Sequence, residues 1–338
     1  MHINLIARSF DERDGYGRFA RRLTEALRAH PEQPTVLKLF AGHAQDNDLW
    51  PGFSLTVSPP FDFKKLPKTH WVYTMTEGSE VPDGWTEMVH ETEISHIITP
   101  SVWCTKTFGD ATGIDATTIK GGIDPREFNT RLRRPWPNYE RPYTFLALGD
   151  RGSRKGWTEV WQAFFALLDE GHDIRLIIKS RTMGNSLIDQ IASGDIHKNI
   201  KILNNDFEDM VQIFRMADCA VMPSRSEGWG MPHREAAAFG LPVIATRFSG
   251  LDDELDEWAY PIGMFKIEDI PSNFPNTKGQ WCVPNIGAIV GQMRWCSLNR
   301  KEAHTFGTNA STWLHTHRTW FHTADNLIRL MKERGVWR

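Results

Sequence analysis

Val221-Met222-Pro223-Ser224-Arg225-Ser226-Glu227-Gly228-Trp229-Gly230-Met231-Pro232-His233-Arg234-Glu235-Ala236-Ala237-Ala238-Phe239-Gly240-Leu241-Pro242 is the stretch on which the fold reading turns. Its apolar start suits a buried strand. A loop broken by Gly228 and Gly230 follows, then a helix opened by Pro232 and closed by Gly240, then a second apolar run over 242–246. Proline is favoured at the first helical position and glycine just past the last. Lacking a Cβ, Gly228 and Gly230 leave backbone N–H groups open to close approach. The helix start behind them presents the positive end of a dipole, which suits a phosphate. Glu227 precedes the loop and Glu235 lies one turn inside the helix, so two carboxylates flank the same opening.

Outward from this stretch, the chain repeats one rhythm. Apolar runs at 144–148, 174–179, 200–203 and 218–222 read as strands, and 156–170, 207–216 and 232–239 read as helices. Earlier, Ile3–Ala7 is strand-like, 15–30 is an amphipathic helix, and 35–40, 70–75 and 96–99 are further strands, with helical intervals at 82–91 and 103–109. Strands alternating with helices imply parallel βαβ units. Residues 129–143 carry three prolines and no periodicity, which marks a linker. We therefore expect an N-terminal Rossmann-like domain over 1–135 and a second over 143–310. The segment 311–338 is expected to supply a final helix over 311–333.

A chain of 338 residues fits two domains. Residues 1–135 hold 16 Lys/Arg against 18 Asp/Glu, and the remainder 23 against 24, so neither part is basic. That removes the long-range electrostatic argument for nucleic acid, though a modified base is not excluded as an acceptor. The four cysteines form no CxxC pair, which fits a reduced, cytoplasmic chain. No run approaches the ~20 apolar residues of a membrane span. A basic helix face (Arg18, Arg21, Arg22, Arg28) offers peripheral contact with anionic lipid or an acidic acceptor.

Glu227 and Glu235, with Gly-Trp-Gly-Met-Pro between them, resemble the E-x7-E motif of the family-four retaining glycosyltransferases. Gly15-Tyr16-Gly17-Arg18 resembles that family's N-terminal glycine loop, and Gly122-Ile123-Asp124-Pro125 resembles the end of its first domain. Gly149-Asp150-Arg151-Gly152-Ser153-Arg154-Lys155-Gly156 resembles its diphosphate clamp. The resemblance implies the GT-B fold: two Rossmann-like domains facing each other across a cleft, with a C-terminal helix crossing back to the first. It implies metal-independent transfer, with retention, from a UDP- or GDP-linked sugar to an acceptor hydroxyl, and no cofactor. It places Glu227 near the donor sugar and Glu235 near the ribose, with Gly230, Met231 and Pro232 contacting sugar and phosphate. Gly15 and Gly17 fall on the donor side as well. The clamp's usual arginine slot holds Asp150, so Arg151 or Arg154 takes that role beside Lys155. On the acceptor side, Glu77 ends the run Trp71-Val72-Tyr73-Thr74-Met75-Thr76 and is a catalytic or acceptor contact. Acceptors that fit this reading are a glycan, a lipid-linked intermediate, a small metabolite, a protein or a modified nucleic-acid base.

Three competing signals are set aside. Gly15-x-Gly17-x-x-Ala20 matches an NAD fingerprint, but it lies eight positions beyond Ala7 and no acidic residue ends the next strand. Asp46-Asn47-Asp48 resembles a D-x-D metal site in a polar loop without that site's context. His315, His317 and His322 lack zinc-site spacing and read as exposed residues at a helix start. A non-catalytic sugar-nucleotide binder would keep the fold but lose Glu227 or Lys155, and both are present.

Overall fold

The computed structural model describes the chain except residues 12–13, 42–47, 67–68, 134–138, 150–152, 181–196, 204–208, 275 and 338. Its residues group into two compact units. Unit 1 comprises Met1–Gly122, Asp269–Gln280 and His317–Arg338, and unit 2 comprises Ile123–Glu268 and Trp281–Thr316.

In unit 1, six parallel strands run in the order β2-β1-β3-β4-β5-β6. They are β1 His2–Ala7, β2 Thr35–Phe40, β3 Phe53–Val57, β4 Thr69–Tyr73, β5 His96–Thr99 and β6 Ala116–Thr118, with helices α1 Gly15–Ala29, α2 Trp85–Glu91 and α3 Val102–Thr112 between them. β3 escaped the sequence reading. Phe53-Ser54-Leu55-Thr56-Val57 alternates apolar and polar residues and so looks half-exposed, yet all five are buried. Its hydroxyls are satisfied sideways across the sheet. Asn4 Nδ2 donates to Ser54 Oγ at 3.3 Å, and Thr56 Oγ1 meets His70 Nε2 at 2.8 Å. Buried polar groups are tolerated when paired in this way.

Unit 2 repeats the architecture with the strand order β12-β11-β10-β7-β8-β9. The strands are β7 Tyr143–Leu148, β8 Ile174–Lys179, β9 Ile200–Leu203, β10 Cys219–Met222, β11 Val243–Thr246 and β12 Tyr260–Ile262. Helices α4 Trp157–Asp169, α5 Met210–Phe214, α6 Met231–Ala238 and α7 Leu255–Trp258 connect them. Beyond β12 come a two-stranded ribbon, β13 Met264–Asp269 with β14 Gln280–Pro284, and the helices α8 Ile286–Leu298 and α9 Arg300–His317. Ile123 and Phe128, which the linker reading assigned to the first domain, sit in the unit 2 core with Phe214 and Phe239. The chain is thus divided at Gly122–Ile123, before the proline-rich stretch.

The segment 311–333 is not one helix. α9 ends at His317, and α10 Trp320–Glu333 begins after Thr319. Thr319 and His322 form a reciprocal cap, with Nδ1 of His322 2.8 Å from Thr319 Oγ1 and accepting from Thr319 N at 3.2 Å. His322 therefore starts a helix, whereas His315 and His317 end one, and His315 Nε2 lies 2.8 Å from the Phe128 carbonyl. α10 packs on α1, with Trp320 edge-on to Phe19 at 4.8 Å. Of the α1 arginines, Arg21 and Arg22 face Glu25 at 3.1 and 3.4 Å, and Arg28 donates to the Val36 carbonyl. Among the described residues, no helix is long and apolar enough to cross a membrane.

His70 gives this unit a pH signature. It is 1 % exposed, and burial lowers its pKa to about 4. The unfolded chain takes up this proton near pH 6.5, so stability is complete above that value and falls as pH drops toward 4. The His70 share is roughly 3 kcal/mol. Chemical denaturation at pH 7.5, 6 and 4.5 should show a progressive loss that is smaller in His70→Gln, the remainder coming from His233 and the other histidines lowered by burial. An unchanged pH slope in the variant would remove His70 as the cause.

Candidate functional site

In unit 2 the chain lays β7, β8 and β9 outward in one direction and then places β10 on the other side of β7. Open α/β sheets bind ligands at such a reversal, beyond the carboxyl ends of the strands. Here the two segments at the reversal are 149–156, after β7, of which 150–152 lie outside the described residues, and the loop 223–230, after β10.

The loops are pressed together by two glycines. Gly156 has φ +70° and caps α4; a Cβ there would run into the Pro223 carbonyl. At Gly149 an added Cβ would lie 2.8–2.9 Å from Cε, Cδ and Cγ of Lys155, so the lysine stem crosses the bare Cα. The main chains then join, with Arg225 N donating to the Arg154 carbonyl at 2.7 Å.

This closure brings Arg154, Lys155 and Glu227 together. Lys155 Nζ lies 2.5 Å from Glu227 Oε1, and Arg154 NH1 lies 3.0 Å from Glu227 Oε2 and donates to the Ser226 carbonyl at 2.9 Å. All three residues are under 9 % exposed. Burial alone would raise the Glu227 pKa, but Arg154 and Lys155 outweigh it and hold the carboxyl well below the usual range. A buried ion pair holds only when further hydrogen bonds satisfy its members. The Arg154 bond to the Ser226 carbonyl does this for the guanidinium, and the Glu227 main chain is fixed separately: its N donates to Ser249 Oγ at 2.9 Å and its carbonyl accepts from Gly250 N at 2.9 Å. Ser249 adopts a left-handed φ of +55° to present that hydroxyl.

Gly230, with φ +74°, caps α6, which starts at Met231 with Pro232 at its second position. A Cβ on Gly230 would be 2.5 Å from Leu251 Cδ2. The α6 start thus follows Glu227 closely in the chain, and the His233 and Arg234 amides both donate to the Gly230 carbonyl. Glu235, 7 % exposed, lies on the same helix. His233 fixes the helix to β10, with Nε2 3.0 Å from the Met222 carbonyl, and burial holds its pKa down at about 4. Arg234 is a brace. Its guanidinium lies 3.5 Å from the Trp229 ring centre and 4.5 Å from that of Trp258, and it donates to the carbonyls of Trp229, Gly250 and Asp253. Arg225 binds Glu159 at 2.5 Å and also pairs with Glu268.

Of the other residues singled out from sequence, Arg151 lies outside the described residues, as do Asp46 and Asn47. Gly15, Gly17 and Glu77 belong to unit 1. Asp14 caps α1 by accepting from Gly17 N at 2.9 Å, and a Cβ on Gly17 would be 2.6 Å from the Asp11 carbonyl. Gly15 and Gly17 thus lie in the first turn of α1 rather than in a loop, and Tyr16 ties that turn to the segment after β4. Its hydroxyl donates to the Met75 carbonyl at 3.1 Å and accepts from Met75 N at 3.0 Å. Glu77 is half-buried two residues beyond Met75. Sequence reasoning missed Ser249, Arg225 and Arg234. The Ser249-Gly250 pair was a turn signal, but nothing local tied it to Glu227, 22 residues earlier.

Residues 128–313 match the model of the family described as glycosyl transferases group 1. A glycogen synthase of Mycobacterium tuberculosis is 28 % identical over 151 residues, spanning 44 % of this chain and 36 % of that protein. A D-inositol 3-phosphate glycosyltransferase of Corynebacterium urealyticum is 44 % identical over 155 residues, spanning 41 % of this chain and 37 % of its own length. The chain thus matches little more than a third of each of these relatives. Among solved structures, a sucrose-phosphate synthase from Thermosynechococcus elongatus superposes with TM-score 0.72 at 13 % identity, covering all of both chains. HepE of Anabaena, solved with UDP and glucose, gives TM-score 0.70 at 12 % identity over 98 % of this chain and all of that one. These likenesses make the fold GT-B. The matched region holds both loops of the strand-order reversal and the Arg154–Lys155–Glu227 cluster, and it spans more than half of the sequence, so the chain belongs to the glycosyl transferases group 1 family.

Proposed function

We propose that the chain is a retaining, metal-independent glycosyltransferase that passes a sugar from a nucleoside diphosphate donor to an acceptor hydroxyl. The observation that carries this reading is the buried Glu227 carboxylate, with one cation on each oxygen, at the carboxyl edge where the strand order reverses. Diphosphate departure needs positive charge aimed at the leaving oxygens. Arg154 and Lys155 supply it, together with the positive end of the α6 dipole.

In the reaction, the bond between the anomeric carbon and the phosphate oxygen breaks, and its electron pair leaves with the nucleoside diphosphate. The acceptor oxygen bonds the anomeric carbon on the same face and hands its proton to a departing phosphate oxygen. No protein base of the glycosidase type is required. Both carboxylate oxygens of Glu227 are engaged by cations, so its part is to aim the clamp rather than to attack. Glu235 holds the donor ribose. Gly15, Gly17 and Glu77 serve the sugar and acceptor from unit 1. UDP-glucose is the first donor to try, since HepE was also solved with it.

Donor turnover should proceed undiminished in excess EDTA, and NMR of the product should show the donor's anomeric configuration. Activity lost on chelation and restored by Mg²⁺ or Mn²⁺ would contradict the clamp, and an inverted product would contradict the mechanism.

Glu235→Ala should raise the donor KM by about 10- to 100-fold, the effect of ~1.5–3 kcal/mol for a charged hydrogen bond, with little change in kcat. A fall in kcat at unchanged KM would move Glu235 from ribose binding to the reacting centre.

A further inference from the structure

Unit 1 has a strand-order reversal of its own. β2 lies on one side of β1 and β3 on the other, so the segments after β1 and β3 leave from the carboxyl edge where open α/β sheets take ligands. The last register pair is Ala7 with Val57, which sends Arg8 and Ser58 out of the sheet side by side. Pro59 and Pro60 then set the backbone for a single 3₁₀ turn, Pro60–Asp62. That turn holds Phe61 38 % exposed, and the Arg8 guanidinium lies over its ring, 5.6 Å from the centre. Asp62, next in the chain, is half-buried.

This corner holds a hydrogen-bond donor and an acceptor side by side. Asp62 Oδ2 and Ser58 Oγ are buried with no hydrogen-bond partner among the described residues, and buried oxygens in that state call for one. Burial raises the Asp62 pKa, Arg8 lowers it and Asp14 raises it, so one guanidinium and two carboxylates act on the corner. Among the described residues, Arg8 rests on Phe61 rather than closing on a carboxylate. A ring with adjacent hydroxyls can donate to Asp62 and accept from Arg8 while packing against the exposed part of Phe61. A phosphate would instead meet the Asp62 and Asp14 charges. The α1 terminus that favours an anion is already capped by Asp14, whose Oδ2 accepts from Gly17 N at 2.9 Å.

We infer that Arg8, Phe61 and Asp62 form a subsite for the acceptor, and that this acceptor is an uncharged ring with adjacent hydroxyls, a sugar or cyclitol that carries no phosphate. This rests on the glycosyl transfer proposed above and names the acceptor class.

The test uses UDP-glucose or GDP-mannose, whichever the wild type hydrolyses faster. Transfer is measured to methyl α-glucoside, methyl α-mannoside and myo-inositol, and to glucose 6-phosphate, mannose 6-phosphate and inositol 3-phosphate. The wild type should favour the best neutral acceptor over the best phosphorylated one by at least about tenfold in kcat/KM. Asp62→Ala should raise the KM of that neutral acceptor by about 10- to 100-fold, and Arg8→Ala by about 10-fold, with the donor KM within about twofold of wild type. Asp62→Ala should also narrow the preference, because it removes a charge that repels phosphate. The wild-type comparison needs no variant, so it decides even where Asp62→Ala misfolds. A wild type that prefers a phosphorylated acceptor, or that hydrolyses the donor without transfer to any of these acceptors, would overturn this inference alone. Equal losses toward neutral and phosphorylated acceptors in a folded Asp62→Ala would do the same. A wild type that neither binds UDP or GDP nor hydrolyses either donor would overturn the transferase reading and this inference with it.

Discussion

The site depends on one constraint, the neutralisation of a buried carboxylate. Glu227 cannot stay ionised at 4 % exposure without positive partners, and the chain provides two, one per oxygen. Much of the local structure follows from that need. Gly149 and Gly156 are bare so that the Lys155 stem and the Pro223 carbonyl can close over them. The Ser249 turn supplies the acceptor that fixes Glu227 N. Arg225 locks the loop against α4 and the ribbon. On the proposed function, a clamp assembled before the ligand arrives needs little reorganisation when charge develops on a leaving diphosphate.

The same constraint makes Glu227 a competitor for the clamp cations. While it holds Arg154 and Lys155, it aims them but also screens them. A strong diphosphate complex would trap product, and an unscreened pair of buried cations would be unstable. A carboxylate between them moderates both effects.

Much of this was legible in the sequence. The βα rhythm gave both sheets because strands buried on two faces read as continuous apolar runs, as in Val243–Thr246. The glycine, proline and glutamate spacing placed α6, with Glu227 before its glycine loop and Glu235 within it. What stayed hidden was non-local. β3 hides its burial behind Ser54 and Thr56, whose partners are Asn4 and His70 on neighbouring strands. The break at Thr319 depends on a threonine–histidine cap that a pattern of apolar residues passes over. The linker signal at 129–143 was real punctuation, yet Ile123 and Phe128 had already entered the second core.

The central claim is that Glu227 organises the clamp without being a ligand contact itself, and nucleoside diphosphate affinity in Glu227→Gln and Lys155→Met tests it most directly. Removing the Glu227 charge should leave binding as tight as in wild type or several-fold tighter while turnover falls, whereas Lys155→Met should weaken binding by about 10- to 100-fold. If Glu227→Gln, folded as judged by its melting temperature, loses diphosphate affinity as steeply as Lys155→Met, then Glu227 does not compete for the clamp and the account is wrong.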